Sequence, residues 1–188
     1  MASRTILITG CSSGIGLTSA RMMSARGWHV IATARKDTDL AMLRADLKVD
    51  AVHLELADPT SVAACADRAL SLSGGRIDAL FNNAAYGQAG AVEDLGVNLL
   101  RRQFEVNLFA QHELIRRLLP VMRRQGHGRI VQCSSVLGLV AAPMRGAYCA
   151  SKFAMEGLTD SMRIELAGSG VHISLIEPGP IRTRFVEN

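Results

Sequence analysis

The chain has 188 residues, of which 48% are hydrophobic and 20% are charged, and its formal net charge at pH 7 is +4. This length and composition exclude a disordered chain and suit one globular domain. No apolar run is long enough to cross a bilayer, and the arginine doublets read as solvated helix faces without the aromatic residues of a nucleic-acid groove. We therefore expect a soluble cytoplasmic protein with no membrane span and no nucleic-acid partner.

Strand-like and helix-like segments alternate along the chain. The predicted strands are Thr5–Thr9, His29–Ala34, Ala51–Glu55, Ala79–Asn82, Arg129–Cys133 and His172–Glu177. Continuous apolar runs of this kind are typical of strands buried on both faces of a parallel sheet. The alternation predicts an α/β fold: a Rossmann-type doubly wound sheet of the six strands named above, in the order 3-2-1-4-5-6, with helices on both faces and a ligand crevice at the carboxyl ends.

Helix signals fill the segments between the strands. Asp58 followed by Pro59 predicts a helix start, with the aspartate as cap. A long helix is predicted over 99–124, with Pro120 kinking or ending it. Another is predicted over 147–167. The cysteines and histidines lack the spacing of a metal site, so we expect reduced cysteines that behave as small apolar residues.

The first predicted strand runs into a glycine-rich turn. Gly10, Gly14 and Gly16 permit a tight turn, and the free amide groups at the start of the next helix favour an anion. Because a strand precedes the turn and a helix follows it, the segment predicts a phosphate-binding site. It lacks the lysine of an ATP-binding loop.

The end of the second predicted strand bears on the choice of cofactor. An acidic residue there would accept hydrogen bonds from the ribose 2′-OH of NAD. The chain has Ala34 at that point, followed by Arg35 and Lys36. Guanidinium binds phosphate through paired donors, so this segment favours NADP(H). The alternative is a pair of surface cations, which Asp37 nearby favours, and NAD(H) then remains the second assignment.

Tyr148 and Lys152 are one turn apart in a predicted helix, so their side chains share a face. They follow the fifth predicted strand and Ser135, at the end of the sheet where ligands bind. Hydride exchange between nicotinamide and an alcohol or ketone requires a proton transfer at the oxygen, and a nearby ammonium lowers a tyrosine pKa. The set therefore predicts Tyr148 as general acid/base, supported by Lys152, with Ser135 orienting the substrate oxygen.

These motifs, with Asn82–Ala84, Asn107 and Pro178–Gly179, resemble the classical short-chain dehydrogenase/reductase family over nearly the whole chain, in particular its hydroxysteroid and retinol dehydrogenase branch. The resemblance implies the catalytic residues Asn107, Ser135, Tyr148 and Lys152. The predicted cofactor contacts are Gly10, Ser12, Ser13, Gly14, Ile15, Gly16, Arg35, Glu55, Leu56, Asn82, Ala84, Tyr148, Lys152, Pro178, Gly179, Ile181 and Thr183. For Asn107 and Thr183, a helix-bending polar residue and a turn hydroxyl are the structural alternatives.

The chain departs from the family pattern at three points. Ala85 stands where the family usually has glycine, and Glu55 stands where it has an adenine-contacting aspartate. Family members usually continue beyond the position of Asn188 with a substrate lid and a seventh strand. We therefore expect residues 1–188 to form a single dinucleotide-binding catalytic domain without those parts.

The sequence thus predicts an NADP(H)-dependent oxidoreductase. Its substrate would be a secondary alcohol or ketone of a hydrophobic small molecule, and the fold allows a homo-oligomer. The alternative is a non-catalytic or impaired cofactor-binding module, such as a sensor or a truncated fragment. The intact set of Ser135, Tyr148 and Lys152 opposes that alternative, because a binding module has no need of a proton-transfer tyrosine.

Overall fold

The computed structural model describes residues 3–187 and contains one parallel sheet flanked by helices. The strands are β1 Thr5–Ile8, β2 His29–Ala34, β3 Asp50–His53, β4 Ala79–Asn82, β5 Gly128–Cys133 and β6 Val171–Ile176. The helices are α1 Gly14–Ala25, α2 Asp37–Leu47, α3 Pro59–Leu72, α4 Val97–Phe104, α5 Ala110–Gln125 and α6 Gly146–Glu165. The expected absence of a seventh strand concerns positions after Asn188 and lies outside the described residues.

The strand order is β3-β2-β1-β4-β5-β6, which confirms the predicted doubly wound topology. Alternate residues of the strands point to opposite faces of the sheet, so each face has a core of its own. Leu7 and Leu80 belong to the core that includes residues of α3 and α5. Ile6 and Ile8 belong to the core that includes residues of α1 and α2. Helices pack on both faces of this parallel sheet, so the carboxyl ends of all its strands lie along one edge.

The long helix predicted over 99–124 is interrupted in the structure. A π-helical segment, Glu105–Phe109, separates α4 from α5. Of the two predicted effects of Pro120, ending the helix is wrong, because α5 continues through Pro120 to Gln125, and a kink stays a prediction. Proline removes one backbone hydrogen bond, and the burial of Val121 and Met122 beyond it keeps the helix packed against the sheet. By contrast, α3 begins as predicted, with Asp58 accepting a hydrogen bond from the Thr60 amide at 2.9 Å.

Polar side chains form a hydrogen-bonded cluster at the amino ends of β1, β4 and β5. Asp78 is 4% exposed and accepts a hydrogen bond from the Thr5 amide at 2.8 Å. Its other oxygen lies 2.7 Å from His127 Nε2 and 3.2 Å from Arg76 Nη2. These contacts join three chain segments, and the carboxylate is fully paired. Across residues 3–187, no helix is both long and apolar enough to cross a membrane.

Candidate active site

A cleft of about 840 Å³ opens at the carboxyl ends of the strands. Its walls include residues that follow each strand, so the topology brings together positions far apart in sequence. The predicted site residues that line it are Gly10, Ser12, Ser13, Gly14, Ile15, Arg35, Glu55, Leu56, Ala84, Ser135, Tyr148, Lys152, Pro178, Gly179, Ile181 and Thr183. The cleft lies where doubly wound sheets bind ligands.

The glycine-rich turn forms one wall of the cleft. Gly10 and Gly14 have φ angles of +71° and +57°, which favour glycine. Ser13 precedes α1 and makes no side-chain cap bond. The amide groups of the first turn of α1 have no acceptor within the helix, and they stand at its positive dipole end. Arg184 approaches the same turn and donates to the Ser12 carbonyl at 2.9 Å. The turn can therefore hold an anion such as a pyrophosphate.

Two predicted cofactor contacts lie behind the wall rather than on it. A Cβ at Gly16 would stand 2.2 Å from the Gly10 carbonyl oxygen, so this glycine permits close packing of α1 against the turn. Asn82 is fully buried, and its amide donates to the Gln111 carbonyl at 3.2 Å and to Gln132 Oε1 at 2.8 Å. The Asn82 side chain thus joins β4 to β5 and α5 and does not line the cleft, and its contact with a cofactor stays a prediction.

Asn83, which the sequence analysis did not assign, lines the cleft in place of Asn82. Its side-chain amide donates to the carbonyl oxygens of Thr9 and Gly10, at 2.9 and 3.2 Å. The Thr9 hydroxyl in turn accepts hydrogen bonds from the amides of Asn83 and Ala84, both at 2.9 Å. This network fastens the glycine turn to the end of β4. The adjacent asparagines in the sequence were a signal, but they do not reveal which one faces the ligand.

One end of the cleft is charged. Arg35 and Lys36 line it together with Asp39 and Glu55. Arg35 Nη1 lies 3.9 Å from Glu55 Oε2, and both side chains are partly exposed. An ion pair at this distance and exposure is weak, so the guanidinium can turn toward a phosphate. Glu55 also accepts a hydrogen bond from the Ala57 amide at 3.0 Å, which holds its carboxylate at the end of β3.

At the other end of the cleft, Ser135 meets Tyr148 and Lys152. Ser135 follows β5, and the other two residues lie one turn apart on α6. Tyr148 is 9% and Lys152 is 1% exposed. Lys152 Nζ lies 5.7 Å from the centre of the Tyr148 ring and donates to the Cys133 carbonyl at 2.6 Å. Ser135 hydrogen-bonds with the Tyr148 side chain. Three groups separated in sequence thus form one polar cluster.

The pKa values of this cluster follow from its burial. Burial raises the pKa of Tyr148 above its ordinary value, whereas the hydrogen bond with Ser135 and the charge of Arg145 act to lower it. The net shift of the Tyr148 pKa in this structure is upward, and the lowering by Lys152 that the sequence suggested stays a prediction. Burial also lowers the pKa of Lys152 to about 8, opposed by the charges of Cys133 and Glu156. Near neutral pH the tyrosine is protonated and the lysine is mostly a cation.

Asn107 lies in the π-helical segment and does not line the cleft. Its amide donates to the Tyr86 carbonyl at 3.0 Å and to Ser151 Oγ at 3.2 Å, and its oxygen accepts from the Tyr86 amide at 3.2 Å. Both amide hydrogens and the oxygen are thus engaged. The side chain holds the segment after β4 against α6, next to Tyr148. Its place in proton transfer remains a prediction.

Several residues of the substrate end were not predicted. This part of the wall includes Tyr86, Arg102, Arg145 and Phe185. The Phe185 ring packs edge-on against Tyr148, with ring centres 5.8 Å apart. Tyr86 directly follows the Asn82–Ala85 segment, and this position next to predicted cofactor contacts could have indicated that it lines the cleft. Arg102 belongs to a doublet interpreted as a solvated helix face, and periodicity alone could not assign it to the cleft. No group of three metal-ligating side chains occurs among residues 3–187.

A doubly wound sheet, a glycine-rich turn before α1 and a Ser–Tyr–Lys cluster are together typical of nicotinamide-dependent oxidoreductases. The family model for short chain dehydrogenases matches residues 4–188. The chain is 45% identical over 185 residues to the uncharacterized oxidoreductase YbbO of Escherichia coli strain K12, covering 98% of this chain and 68% of that protein. It is 38% identical over 198 residues to human 17-beta-hydroxysteroid dehydrogenase type 1, covering 100% and 60% of the two chains.

Solved structures agree with this result. A short-chain dehydrogenase/reductase from Burkholderia phymatum in complex with NAD superimposes with a TM-score of 0.93, at 30% identity, over 98% of this chain and 68% of that one. An actinorhodin polyketide ketoreductase with NADPH gives a TM-score of 0.93 at 28% identity, over 98% and 73%. The chain belongs to the short-chain dehydrogenase family of oxidoreductases. It spans 60 to 68% of the length of the two curated relatives.

Proposed function

We propose that this protein reduces a ketone of a hydrophobic small molecule to a secondary alcohol, with NADPH as the hydride donor. The observation that carries the proposal is the cluster of Ser135, Tyr148 and Lys152 at the wall of the cleft. Within it, the tyrosine side chain is hydrogen-bonded to the serine. When bound, the nicotinamide would supply a hydride to the carbonyl carbon. The protein's own residues would orient the carbonyl oxygen and provide its proton.

Tyr148 is suited to the role of general acid. Because burial raises the pKa of its hydroxyl, the group carries a proton near neutral pH and can donate it to the carbonyl oxygen. The donation leaves a phenolate, which the Lys152 ammonium 5.7 Å from the ring centre stabilises electrostatically. Ser135 would donate a hydrogen bond to the same oxygen and orient it. This protonation state favours reduction over oxidation.

The residues of the cleft fit a dinucleotide. The first turn of α1 presents free amides beside Gly10 and Gly14, where the backbone can approach a pyrophosphate closely. Lys152 Nζ has three N–H donors, and among the described residues the Cys133 carbonyl is its hydrogen-bonding acceptor. The remaining donors can hold ribose hydroxyls. At the other end, Arg35 and Lys36 favour a 2′-phosphate, which supports NADP(H) over NAD(H).

Four cysteines, Cys11, Cys65, Cys133 and Cys149, are buried and unpaired in the described structure. Free buried thiols suit a reducing compartment, so we extend the proposal to a cytoplasmic location. Assembly into a homo-oligomer stays a prediction.

The proposal is tested by following NADPH and NADH oxidation with a panel of aliphatic, cyclic and aromatic ketones. We expect ketone-dependent oxidation of NADPH, with a smaller kcat/KM for NADH. Binding of NADPH must be measured in parallel by fluorescence. Tight binding without turnover of any ketone would overturn the proposal and favour a cofactor-binding module.

A further inference from the structure

We propose that the substrate carries an anionic group, such as a carboxylate, in addition to its apolar body, and that Arg102 and Arg145 bind it. The inference rests on the proposed ketone reduction and adds a substrate class to it. Both arginines line the cleft at the end occupied by Tyr148, away from the glycine turn. Neither belongs to the hydrophobic core, to the proposed cofactor contacts or to the Ser135, Tyr148 and Lys152 cluster.

The two arginines approach the same short segment from different elements. Arg102 lies on α4 and exerts its charge on the hydroxyl of Tyr86. Arg145 directly precedes α6, and its Nη1 lies 3.7 Å from the point where a Cβ of Gly87 would stand. The Tyr148 ring lies 3.5 Å from that same point. The Arg145 guanidinium is therefore close to the proposed proton donor, and Arg102 lies near the Tyr86 side chain of the same segment.

Among the described residues, no acidic side chain lines this end of the cleft. The acidic residues of the wall, Asp39 and Glu55, both lie at the opposite end, beside Arg35. Within residues 3–187, the side chains of Arg102 and Arg145 form no hydrogen bond or ion pair, whereas Arg116 and Arg117 both bind Glu113. Arg145 is half-buried and Arg102 is exposed at the wall of the cleft. Two cations without a counter-ion beside a reaction centre attract a negatively charged ligand.

The remaining wall is apolar, which defines the other part of the substrate. Val136, Leu137 and Phe185 line the cleft near Tyr148. Val136 is 39% exposed. Tyr86 adds a buried hydroxyl that has no partner among the described side chains. A ligand that matches both features has an aliphatic or alicyclic body, a ketone at Tyr148 and an acid group at the arginines. A neutral ketone would leave both cations uncompensated.

The test compares a medium-chain keto acid, with a terminal methyl ketone, with the primary amide of the same acid. The two compounds share the reacting carbonyl and the chain and differ in charge. We expect wild-type kcat/KM to favour the acid by about 10-fold or more. Arg102→Gln and Arg145→Gln should each bring the ratio of the two kcat/KM values toward unity. Using the ratio cancels any effect of Arg145 on proton transfer, because that effect applies equally to both ketones.

Arg101→Gln is the matched control. Arg101 adjoins Arg102 but donates to Asn98 Oδ1 at 3.3 Å, is exposed and does not line the cleft. This variant should keep the wild-type preference for the acid. Equal kcat/KM for acid and amide in the wild type, or a preference that survives both cleft substitutions, overturns the inference.

A binding measurement separates failure of this inference from failure of the proposed function. The saturated fatty acid of the same chain length is titrated calorimetrically into wild type and variants, with and without NADPH. If no ketone is reduced but the fatty acid binds and either cleft variant weakens it about 10-fold, the reaction is wrong and the anion site stands. If ketones are reduced but the fatty acid fails to bind the wild type, the reaction stands and the anion site is wrong.

Discussion

The two ends of the sheet differ in whether their buried polar atoms have hydrogen-bond partners within the protein. At the amino end, both oxygens of Asp78 are hydrogen-bonded, and Gln125 accepts from and donates to the backbone of Ile77 at 3.0 and 2.8 Å. At the carboxyl end, Tyr86 OH, Ser134 Oγ and Glu156 Oε1 are buried without a partner within the described chain. The carboxyl end thus retains buried polar atoms without a protein partner, whereas the Asp78 carboxylate at the amino end has partners for both oxygens.

This difference separates stability from function. A buried polar group with partners contributes to the free energy of unfolding, whereas an unsatisfied one costs stability and retains its bonding capacity for a ligand. Lys152 combines the two cases, since it is 1% exposed and donates to the Cys133 carbonyl at 2.6 Å, while its other N–H donors are available to a ligand. Substitutions at the carboxyl end should therefore change turnover or ligand affinity. Substitutions at the amino end should change stability alone.

The largest effect is expected for Tyr148→Phe. The substitution keeps the ring and its packing against Phe185 but removes the hydroxyl that donates the proton. Turnover should fall by about 10²- to 10⁴-fold, while the NADPH dissociation constant and the melting temperature stay nearly constant. Initial rates, fluorescence titration and thermal melts measure the three quantities. Turnover within threefold of the wild type would remove Tyr148 from the reaction and break the comparison at its main point.

The next effect is expected for Asp78→Asn at the opposite end. The amide cannot accept from the Thr5 amide, Arg76 and His127 as the carboxylate does, so the free energy of unfolding should fall by about 2–3 kcal/mol. kcat/KM should be unchanged at temperatures where the variant is folded. Denaturant titration measures the loss. Asp160→Asn is the control, because Asp160 pairs with Arg163 at the surface and should matter by less than about 1 kcal/mol.

The same residue predicts a pH dependence with a definite sign. The pKa of Asp78 is lowered from its ordinary value of 3.8, because hydrogen bonds from Thr5 and His127 and the charge of Arg76 outweigh the effect of burial. A depressed folded-state pKa contributes stability above the unfolded-state value, and the contribution is lost as the pH falls through the folded-state value. Wild type should therefore lose stability below about pH 4, and Asp78→Asn should lose less over the same range. Parallel acid titrations of both proteins would contradict this.

The sequence predicted the strand order and the helix start at Asp58 better than it predicted which side chains face the cleft. Apolar runs and the Asp58–Pro59 cap are local signals, so the strand order and the start of α3 were predicted correctly. Whether Asn82 or Asn83 faces the cleft depends on the layer packed beneath β4, which no local pattern encodes. The upward effect of burial on the Tyr148 pKa could not be predicted for a related reason, because burial is a property of the assembled fold.

A smaller effect is expected for Arg35→Asp. The guanidinium is partly exposed and 3.9 Å from Glu55, so it can exchange this weak contact for a 2′-phosphate. The ratio of the NADH to the NADPH dissociation constant should fall by about 10-fold, because an attractive charge becomes a repulsive one. Arg68→Asp on the exposed face of α3 changes the net charge equally and should leave the ratio unchanged. An unchanged ratio in Arg35→Asp would mean that the guanidinium points to solvent in the complex.

The smallest effect is expected for Ser134→Ala, and it is the most direct probe of the comparison. Ser134 Oγ is buried and lacks a partner in the part of the chain that the structure describes, so replacing it removes a desolvation cost and no protein hydrogen bond. The free energy of unfolding should stay within about 1 kcal/mol of the wild type, or rise. The neighbouring Ser135→Ala variant removes the hydroxyl that bonds with Tyr148 and should instead reduce turnover. Denaturant titrations and initial rates on both variants separate the two serines.

If Ser134→Ala lost more than about 2 kcal/mol, its hydroxyl must have an ordered water or ligand as partner. The carboxyl end would then be a satisfied cluster like the amino end, and its capacity for ligands would lie in Lys152 and the free amides of α1.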